Sequence, residues 1–344
     1  MSRFLVHSLP LAGHFYPIAA VASALARRGH EVAWTGSEAY LRPMLGPSAE
    51  IFPTGTRLYR GAMRERGMTA TKSRWLGYIV PVGRFTLGAV DRAVQDYRPD
   101  VLVVDQHAIA GALVAHRRGV RWATLAPTSM ELGRAYQALP KVEAWVDEQL
   151  RGMWTGAGLP GDPPHDLRFS PHAVIGFTGE ALAGPPPPGV ELVGAVLGER
   201  VADESFPWDR LDPNRRKLLV SVGTLAMDVA GGFLGRVARA VAPLADGLQT
   251  VFVAPPEAVP EPPPDALVAE RVPMLELLPH LDAVVTHGGL NTVCEALAHG
   301  VPLVVAPIKG DQPINAAQVE AAGAGLRVSF HRSDDAVFPL VLVV

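Results

Sequence analysis

The chain has 344 residues, more than one hydrophobic core usually serves, so the sequence predicts two domains. Hydrophobic residues make up 48% of the chain and charged residues 19%, which is ordinary for an α/β protein. The formal net charge of −3 gives no electrostatic reason to expect nucleic acid or an anionic membrane as a partner. The single cysteine, Cys294, excludes an intramolecular disulfide and a metal site built from cysteines.

The apolar run at the N-terminus predicts a first strand rather than a targeting segment. It extends only from Phe4 to Val6 before His7 interrupts it, which is too short for the core of a signal peptide. No uncharged apolar stretch approaches the length that a membrane helix needs. We therefore expect a cytoplasmic protein without a membrane span.

The first half of the chain alternates apolar strands with alanine-rich helices. A helical pattern runs from Pro17 to Arg28 and ends at Gly29, with proline at its start and glycine just past its end. The strands are apolar on both faces and are predicted at residues 3–9, 31–35, 100–105 and 121–127. Such strands, separated by helices, indicate a parallel sheet covered on both sides, which is a doubly wound α/β domain.

The run GPPPPG at residues 184–189 breaks regular structure near the middle of the chain, and the same alternation resumes beyond it. Helices are predicted from Phe233 to Val241 and up to His299. Strands are predicted at residues 217–224, 249–254, 266–272, 283–289, 302–307 and 325–330. The sequence thus predicts an N-terminal domain at 1–188 and a second doubly wound domain at 189–344.

Ligands of open α/β sheets bind at the carboxyl ends of the strands, so polar residues just after each strand are the informative ones. In the segment 286–318, a strand ends at Gly288 and Gly289 and a helix follows. Glycines at such a turn let the backbone approach a ligand, and the amino end of the helix favours a phosphate. Thr292 lies in the first helical turn, where its hydroxyl can bond a phosphate oxygen.

The same segment carries groups suited to a ribose and a sugar. Glu295 lies one turn further along the helix, near the face of Asn291 and Thr292, where it can accept from a pair of ribose hydroxyls. Asp311 and Gln312 follow the next strand and provide a carboxylate and an amide that can bind sugar hydroxyls.

In this order and spacing, the segment resembles the nucleotide-sugar signature of the GT-B glycosyltransferases of family 1. That family includes plant secondary-metabolite enzymes and actinomycete enzymes that decorate antibiotics. The resemblance covers nearly the whole chain up to Phe330 and implies the GT-B fold, two Rossmann-like domains facing across a cleft. It also implies donor-binding roles for six residues: pyrophosphate contact for His287, the pair that follows the glycines for Asn291 and Thr292, ribose binding for Glu295, and sugar binding for Asp311 and Gln312.

Two further segments resemble parts of the family's donor site. Thr224 ends a predicted strand where the family has a turn beside the phosphates. Residues 271–282 resemble the base-binding loop and retain Val272. Arg271 and Met274 stand where the family usually has an aromatic residue and often a glutamine. The planar guanidinium of Arg271 can stack on a base in place of the aromatic ring.

The first domain provides a candidate base and its carboxylate. His14 follows a glycine in the loop predicted after the first strand and matches the family's Gly-His-x-x-Pro motif, whose histidine deprotonates the acceptor. Proton transfer of this kind needs a base that titrates near neutrality and is held by a carboxylate. Asp105 ends a predicted strand and matches the family's carboxylate. The alternatives are a structural role for His14 and a helix N-cap role for Asp105.

Two stretches of the first domain, residues 52–85 and 130–154, are predicted to be irregular. The resemblance implies that this half of the domain lines an acceptor pocket, and packing under loops is the alternative role for its aromatic residues, Tyr59, Trp75, Tyr78, Tyr136 and Trp145.

Family members continue past residues 325–330 with helices, the last of which crosses back onto the first domain. Because residues 333–344 form an apolar tail without helical punctuation, we expect a weakened interdomain clamp and low activity.

Together these features predict an inverting glycosyltransferase that uses a dTDP- or UDP-sugar and a hydroxyl of an apolar natural product. His14 would take the acceptor proton and Asp105 would stabilise the imidazolium, while the oxygen attacks the anomeric carbon opposite the diphosphate. His287, the glycine amides, Thr292 and the helix dipole would stabilise the leaving group. Neither a metal nor a cofactor is therefore expected, the nucleotide sugar being a co-substrate.

Two other functions are compatible with the sequence. A sugar-nucleotide epimerase on the same paired-domain fold would need acid and base groups around the donor sugar and no acceptor pocket. An inactive nucleotide-sugar-binding accessory protein is disfavoured by the presence of both His14 and Asp105 and favoured by the short C-terminal segment.

Overall fold

The computed structural model describes residues 1–56, 67–132, 139–198, 200, 206–223 and 227–331. Thr224, Tyr59, Tyr136 and the tail at 333–344, all singled out in the sequence, lie outside these residues. The described residues form two compact units, one ending at Gly198 and one beginning at Arg200. Each has its own sheet and its own buried core. In the part of the chain that the structure describes, no helix is long and apolar enough to cross a membrane.

The first unit is built on a parallel sheet with the order β3-β2-β1-β4-β5-β6-β7 in the described residues. The strands are β1 (Arg3–His7), β2 (Glu31–Gly36), β3 (Ile51–Pro53), β4 (Val101–Asp105), β5 (Arg121–Ala126), β6 (Val174–Gly176) and β7 (Val190–Leu192). The helices of the described residues are α1 (Ala12–Arg27), α2 (Glu38–Leu45), α3 (Gly67–Arg74), α4 (Val80–Tyr97), α5 (Ile109–Arg118), α6 (Pro140–Gly156) and α7 (Glu180–Ala183).

The strand order of this sheet reverses beside β1. Strands β2 and β3 extend the sheet on one side of β1, and β4 pairs in parallel on the other side, with His7 opposite Val104. Ligands of doubly wound sheets bind at such a switch point, outside the carboxyl ends of the two central strands. The loop after β1 and the last residue of β4, Asp105, both lie there.

The predicted start of the first helix is wrong, with a consequence for His14. Helix α1 begins at Ala12 rather than at Pro17, because the carbonyl of Leu11 accepts hydrogen bonds from the amides of His14 at 3.0 Å and Phe15 at 2.8 Å. Pro17 lies inside the helix and provides no amide hydrogen for its ladder. His14 is therefore held in the first helical turn and does not lie in a loop.

The stretches predicted to be irregular are largely helical where the structure describes them. In the first stretch, α3 continues through a π-helical turn at Trp75–Ile79 into α4, and in the second, α6 covers residues 140–156. Trp75 and Tyr78 are buried and Trp145 is half-buried. Burial of the first two rings agrees with packing, the alternative role for these aromatics.

The division between the units lies at Arg200 rather than at the predicted Gly189. The proline-rich run is a turn within the first unit, because β7 follows it and pairs in parallel with β6, Ile175 lying opposite Glu191. Prolines break regular structure, but they do not determine whether the chain then returns to the same sheet.

The second unit contains a parallel sheet with the order β10-β9-β8-β11-β12-β13 in the described residues. Its strands are β8 (Arg216–Ser221), β9 (Leu248–Val253), β10 (Leu267–Ala269), β11 (Ala283–Thr286), β12 (Leu303–Val305) and β13 (Gly325–Arg327). The helices of its described residues are α8 (Met227–Val241), α9 (Met274–Leu277), α10 (Leu290–Ala298) and α11 (Gln312–Ala321). The order reverses between β8 and β11, so the predicted phosphate loop after β11 also lies at a switch point.

Candidate active site

The fold of the first unit brings His14 and Asp105 into contact although they are 91 residues apart in the sequence. Nδ1 of His14 lies 2.8 Å from Oδ2 of Asp105. An ionised carboxylate can only accept, so Nδ1 carries the proton and Nε2 holds the lone pair. The side chain of His14 is 12% exposed, so it is accessible from solvent, whereas that of Asp105 is fully buried.

Two backbone amides complete the surroundings of Asp105. The amide of Leu9 donates to Oδ2 at 3.2 Å and the amide of His107 donates to Oδ1 at 3.0 Å. Burial opposes ionisation of Asp105, but the charge and hydrogen bond of His14, together with His107, outweigh it and hold the pKa of Asp105 below its usual value. The residue that flanks α5 is Ala108, so Asp105 is not the N-cap of that helix.

His107 is a member of this cluster that the sequence analysis missed. One ring nitrogen of His107, one ring nitrogen of His14 and a carboxylate oxygen of Asp105 all lie within 4.8 Å of one another. Nε2 of His107 is also 3.1 Å from a carboxylate oxygen of Glu131. A histidine two residues after the predicted carboxylate was the available signal. Histidine and aspartate also occur in metal sites, and here a ring nitrogen of each histidine lies within hydrogen-bond distance of a carboxylate, His14 of Asp105 and His107 of Glu131. Such an arrangement of imidazole rings and carboxylates can hold and move a proton.

In the second unit, the turn after β11 packs against the end of β8. A Cβ atom added to Gly223, which has a φ of +72°, would lie 2.6 Å from the imidazole of His287. A Cβ atom on Gly288, with a φ of +87°, would lie 2.7 Å from Cγ1 of Val305. Both turns therefore require glycine, for its conformation and for the close approach. They hold the His287 ring at the switch point of the sheet.

His287 is neutral at physiological pH in this structure. Burial lowers the pKa of His287 to about 4, aided by the nearby charge of Lys309 and opposed by a hydrogen bond to the backbone of Ser221. The ring can therefore offer a phosphate a hydrogen bond rather than a full charge.

The amino end of α10 provides the other groups predicted to meet the phosphates. Gly289 is the N-cap of this helix and has no side chain that could cap the first-turn amides. Asn291 and Thr292 lie in that first turn and are half-buried. Together with His287, they surround the position where a strand-to-helix turn binds an anion.

Glu295 has a partner that no sequence pattern indicated. Its buried carboxylate forms an ion pair with Arg200, the first described residue of the second unit. Burial raises the pKa of Glu295 and the positive charge of Arg200 opposes that rise. A ribose that binds Glu295 would meet this guanidinium beside the carboxylate.

Asp311 and Gln312 occupy the end of the β12 loop, where they take part in its internal hydrogen bonds. Oε1 of Gln312 accepts from the amides of Ile308 and Lys309 at 2.9 and 2.8 Å. Nδ2 of the buried Asn315 donates to the Gly288 carbonyl at 2.8 Å and to Asp311 at 3.2 Å. Asn315, missed in the sequence although it lies four residues after Asp311, thus connects the predicted sugar-binding loop to the predicted phosphate loop.

The chain is similar to known proteins in both sequence and fold. Residues 217–336 match the family model described as UDP-glucoronosyl and UDP-glucosyl transferase. The chain is 29% identical to a 4'-demethylrebeccamycin synthase from Lentzea aerocolonigenes, over 96% of this chain and 88% of that protein. The crystal structure of the glycosyltransferase SnogD from Streptomyces nogalater has a TM-score of 0.78 and 21% identity, covering 99% of this chain and 91% of that one. The Streptomyces sp. SF2575 glycosyltransferase SsfS6, complexed with thymidine diphosphate, has a TM-score of 0.69 and 21% identity, covering 100% and 89%.

The chain is a glycosyltransferase of the GT-B fold. The predicted family resemblance and fold are thereby confirmed, and these similarities support neither an epimerase nor an inactive accessory protein.

In this glycosyltransferase, the residues predicted to bind the base lie apart from the hydrogen bonds described above. Arg271 and Val272 belong to the loop between β10 and α9. The side chain of Arg271 is exposed and that of Val272 is half-buried. An exposed guanidinium can stack on a base at this edge of the sheet. Base stacking by Arg271 therefore stays a prediction.

Proposed function

We propose that this glycosyltransferase moves a sugar from a dTDP- or UDP-sugar to a hydroxyl of an apolar natural product, with inversion at the anomeric carbon. The observation that carries the proposal is the 2.8 Å contact between His14 and Asp105, which leaves a basic Nε2 on a partly exposed ring. The substrate classes are supported by a relative that is a 4'-demethylrebeccamycin synthase and by a structural neighbour that binds thymidine diphosphate.

In the proposed reaction, the first unit binds the acceptor and the second binds the donor. Nε2 of His14 removes the proton of the acceptor hydroxyl, and Asp105 stabilises the resulting imidazolium. The acceptor oxygen forms a bond to the anomeric carbon as the bond from that carbon to the diphosphate oxygen breaks. The electron pair of the broken bond leaves with the nucleoside diphosphate. Attack from the opposite face inverts the configuration.

The negative charge that develops on the departing diphosphate would be stabilised by fixed groups of the second unit. The first-turn amides of α10, the hydroxyl of Thr292 and the neutral imidazole of His287 are preorganised as hydrogen-bond donors. Because these groups and the helix dipole bind the phosphates, we propose that transfer needs no divalent metal ion.

The function is tested by measuring nucleoside diphosphate release from dTDP- and UDP-sugars, with and without aromatic and polyketide acceptors. We expect release to depend on an acceptor, to continue in the presence of EDTA, and to give a glycoside of inverted anomeric configuration. Isomerisation of the donor sugar without any acceptor would instead indicate an epimerase. A product of retained configuration would contradict the proposed displacement.

A second expectation concerns the donor site. His287→Ala should weaken the binding of dTDP or UDP by about tenfold or more, because a hydrogen bond to a charged phosphate is lost. Asp311→Ala should leave the affinity for the bare diphosphate close to wild type, because this carboxylate is proposed to bind the sugar. Isothermal titration calorimetry compares the two variants. An equal loss of diphosphate affinity in both would contradict these roles.

A further inference from the structure

A buried polar network in the first unit adjoins the His14–Asp105 pair, and its centre is Glu131. The side chain of Glu131 is fully buried and its carboxylate accepts four hydrogen bonds. Arg74 and Nε2 of His107 donate to Oε1 at 2.8 and 3.1 Å. Gln106 and Thr128 donate to Oε2 at 3.0 and 3.1 Å. A buried carboxylate is tolerated only with this degree of pairing, so the ion pair of Arg74 with Glu131 is a fixed part of the unit.

His107 connects Glu131 to the pair that binds the acceptor proton. Its backbone amide donates to Oδ1 of Asp105 at 3.0 Å, and its ring centre lies 5.6 Å from that of His14. The carboxylate of Glu131 can only accept, so Nε2 of His107 carries a hydrogen. Glu131 thereby fixes the ring of His107, and the backbone amide of the same residue holds Asp105.

The charges in this cluster are nearly balanced. Burial lowers the pKa of His107, opposed by Glu131 and aided by Arg74 and His14, so that its ring is neutral. Burial also opposes ionisation of Glu131, but His107 and the positive charge of Arg74 outweigh it and hold the pKa of Glu131 well below its usual value. Among the described residues, the charged or titratable groups that act on the cluster are His7, His14, Arg74, Asp105, His107, Glu131 and Arg168, the last of which is paired with Asp166.

We propose that Glu131 is a positioning residue of the transfer reaction. Through His107 it holds Asp105 in place, and with Arg74 it sets the charge balance under which His14 takes up a proton. This inference rests on the proposed function, in which His14 is the base.

The test removes each charge of the ion pair separately and then both together. In Glu131→Gln the cluster loses a negative charge, so the pH at which the His14 ring is half-protonated should fall by roughly half a pH unit or more. In Arg74→Met the cluster loses a positive charge, and this midpoint should rise by a similar amount. The double variant should return close to wild type. The midpoint is measured by NMR on histidine labelled at the ring carbon, with the His14 signal assigned from its loss in His14→Ala.

A matched control breaks an exposed ion pair of the same unit. Asp91→Asn separates Asp91 from Arg118 and should leave the midpoint unchanged. The low-pH limb of kcat/KM should move with the ring titration in all variants. If the buried charge of one single variant prevents folding, the other single variant and the neutral double variant still provide the comparison.

The outcomes separate the inference from the proposed function. Shifts in the same direction in both single variants, or a double variant as displaced as the singles, would mean that the network serves packing alone and would overturn the inference. Transfer at the wild-type rate by His14→Ala would instead overturn the proposed function. The NMR titration does not depend on activity, so it tests the charge balance in either case.

Discussion

Replacing His14 with alanine is expected to lower kcat for sugar transfer by about 10²- to 10⁴-fold, the usual contribution of a general base. The imidazole is the group whose Nε2 can accept the hydroxyl proton, because its Nδ1 already donates to Asp105. The affinity for the nucleoside diphosphate should be unchanged, since the phosphate loops belong to the second unit. Single-turnover transfer rates and calorimetry with dTDP or UDP measure the two quantities separately.

An exposed histidine of the same unit provides the control for this change. His172→Ala removes an imidazole that is on the surface and should retain wild-type transfer. Wild-type turnover by His14→Ala on an acceptor that the native enzyme glycosylates would show that another group takes the proton. A loss of activity accompanied by an equal loss of diphosphate affinity would point to a structural role for His14.

Short-range patterns were sufficient to predict the central strands and the two doubly wound folds, whereas the three-residue strands β3, β6 and β7 were not predicted. The apolar runs that became β1 and β4 are buried on both faces, and such runs identify central parallel strands without knowledge of their neighbours. The same patterns also place His14 and His287 after strands and Asp105 at the end of a strand, and the strand order puts these strands at the switch point of each sheet. The candidate sites were therefore accessible from the sequence.

Local sequence patterns were less informative where the same residues are compatible with more than one backbone conformation. Pro17 suits the first turn of a helix, but the carbonyl of Leu11 starts α1 five residues earlier. The prolines at 185–188 break regular structure, yet β7 follows them and pairs with the first sheet. In both cases hydrogen bonds outside the proline's own turn determine the result.

The partners of buried charges were beyond prediction because they are distant in the chain. Arg74 and Glu131 are separated by 57 residues, and Arg200 and Glu295 by 95. Neither pair has a sequence spacing that identifies it, since the contact depends on how strands and helices pack in three dimensions. A carboxylate such as Glu131 therefore has no distinguishing feature in the sequence and becomes informative only once its burial is known.

The change Asp105→Asn preserves size and is nevertheless expected to slow transfer by about 10²-fold or more. Both oxygens of Asp105 accept hydrogen bonds, Oδ1 from His107 and Oδ2 from Leu9 and His14. An amide must place its NH₂ group at one of these positions. If the NH₂ group faces Leu9 and His14, it drives the proton of His14 from Nδ1 to Nε2, and the lone pair that should accept the hydroxyl proton is lost.

The other orientation of the amide is also unfavourable. The NH₂ group would then face the buried amide of His107, leaving two donors in contact at a cost of about 1–3 kcal/mol. In either orientation the negative charge that stabilises the imidazolium is gone, and the amino end of α1 further disfavours a positive charge at His14. Transfer rates of Asp105→Asn are compared with those of Asp96→Asn, an exposed site on α4 that should behave as wild type. A near-native kcat in Asp105→Asn would mean that His14 acts as a base without its carboxylate. This result would contradict the proposed role of the His14–Asp105 pair.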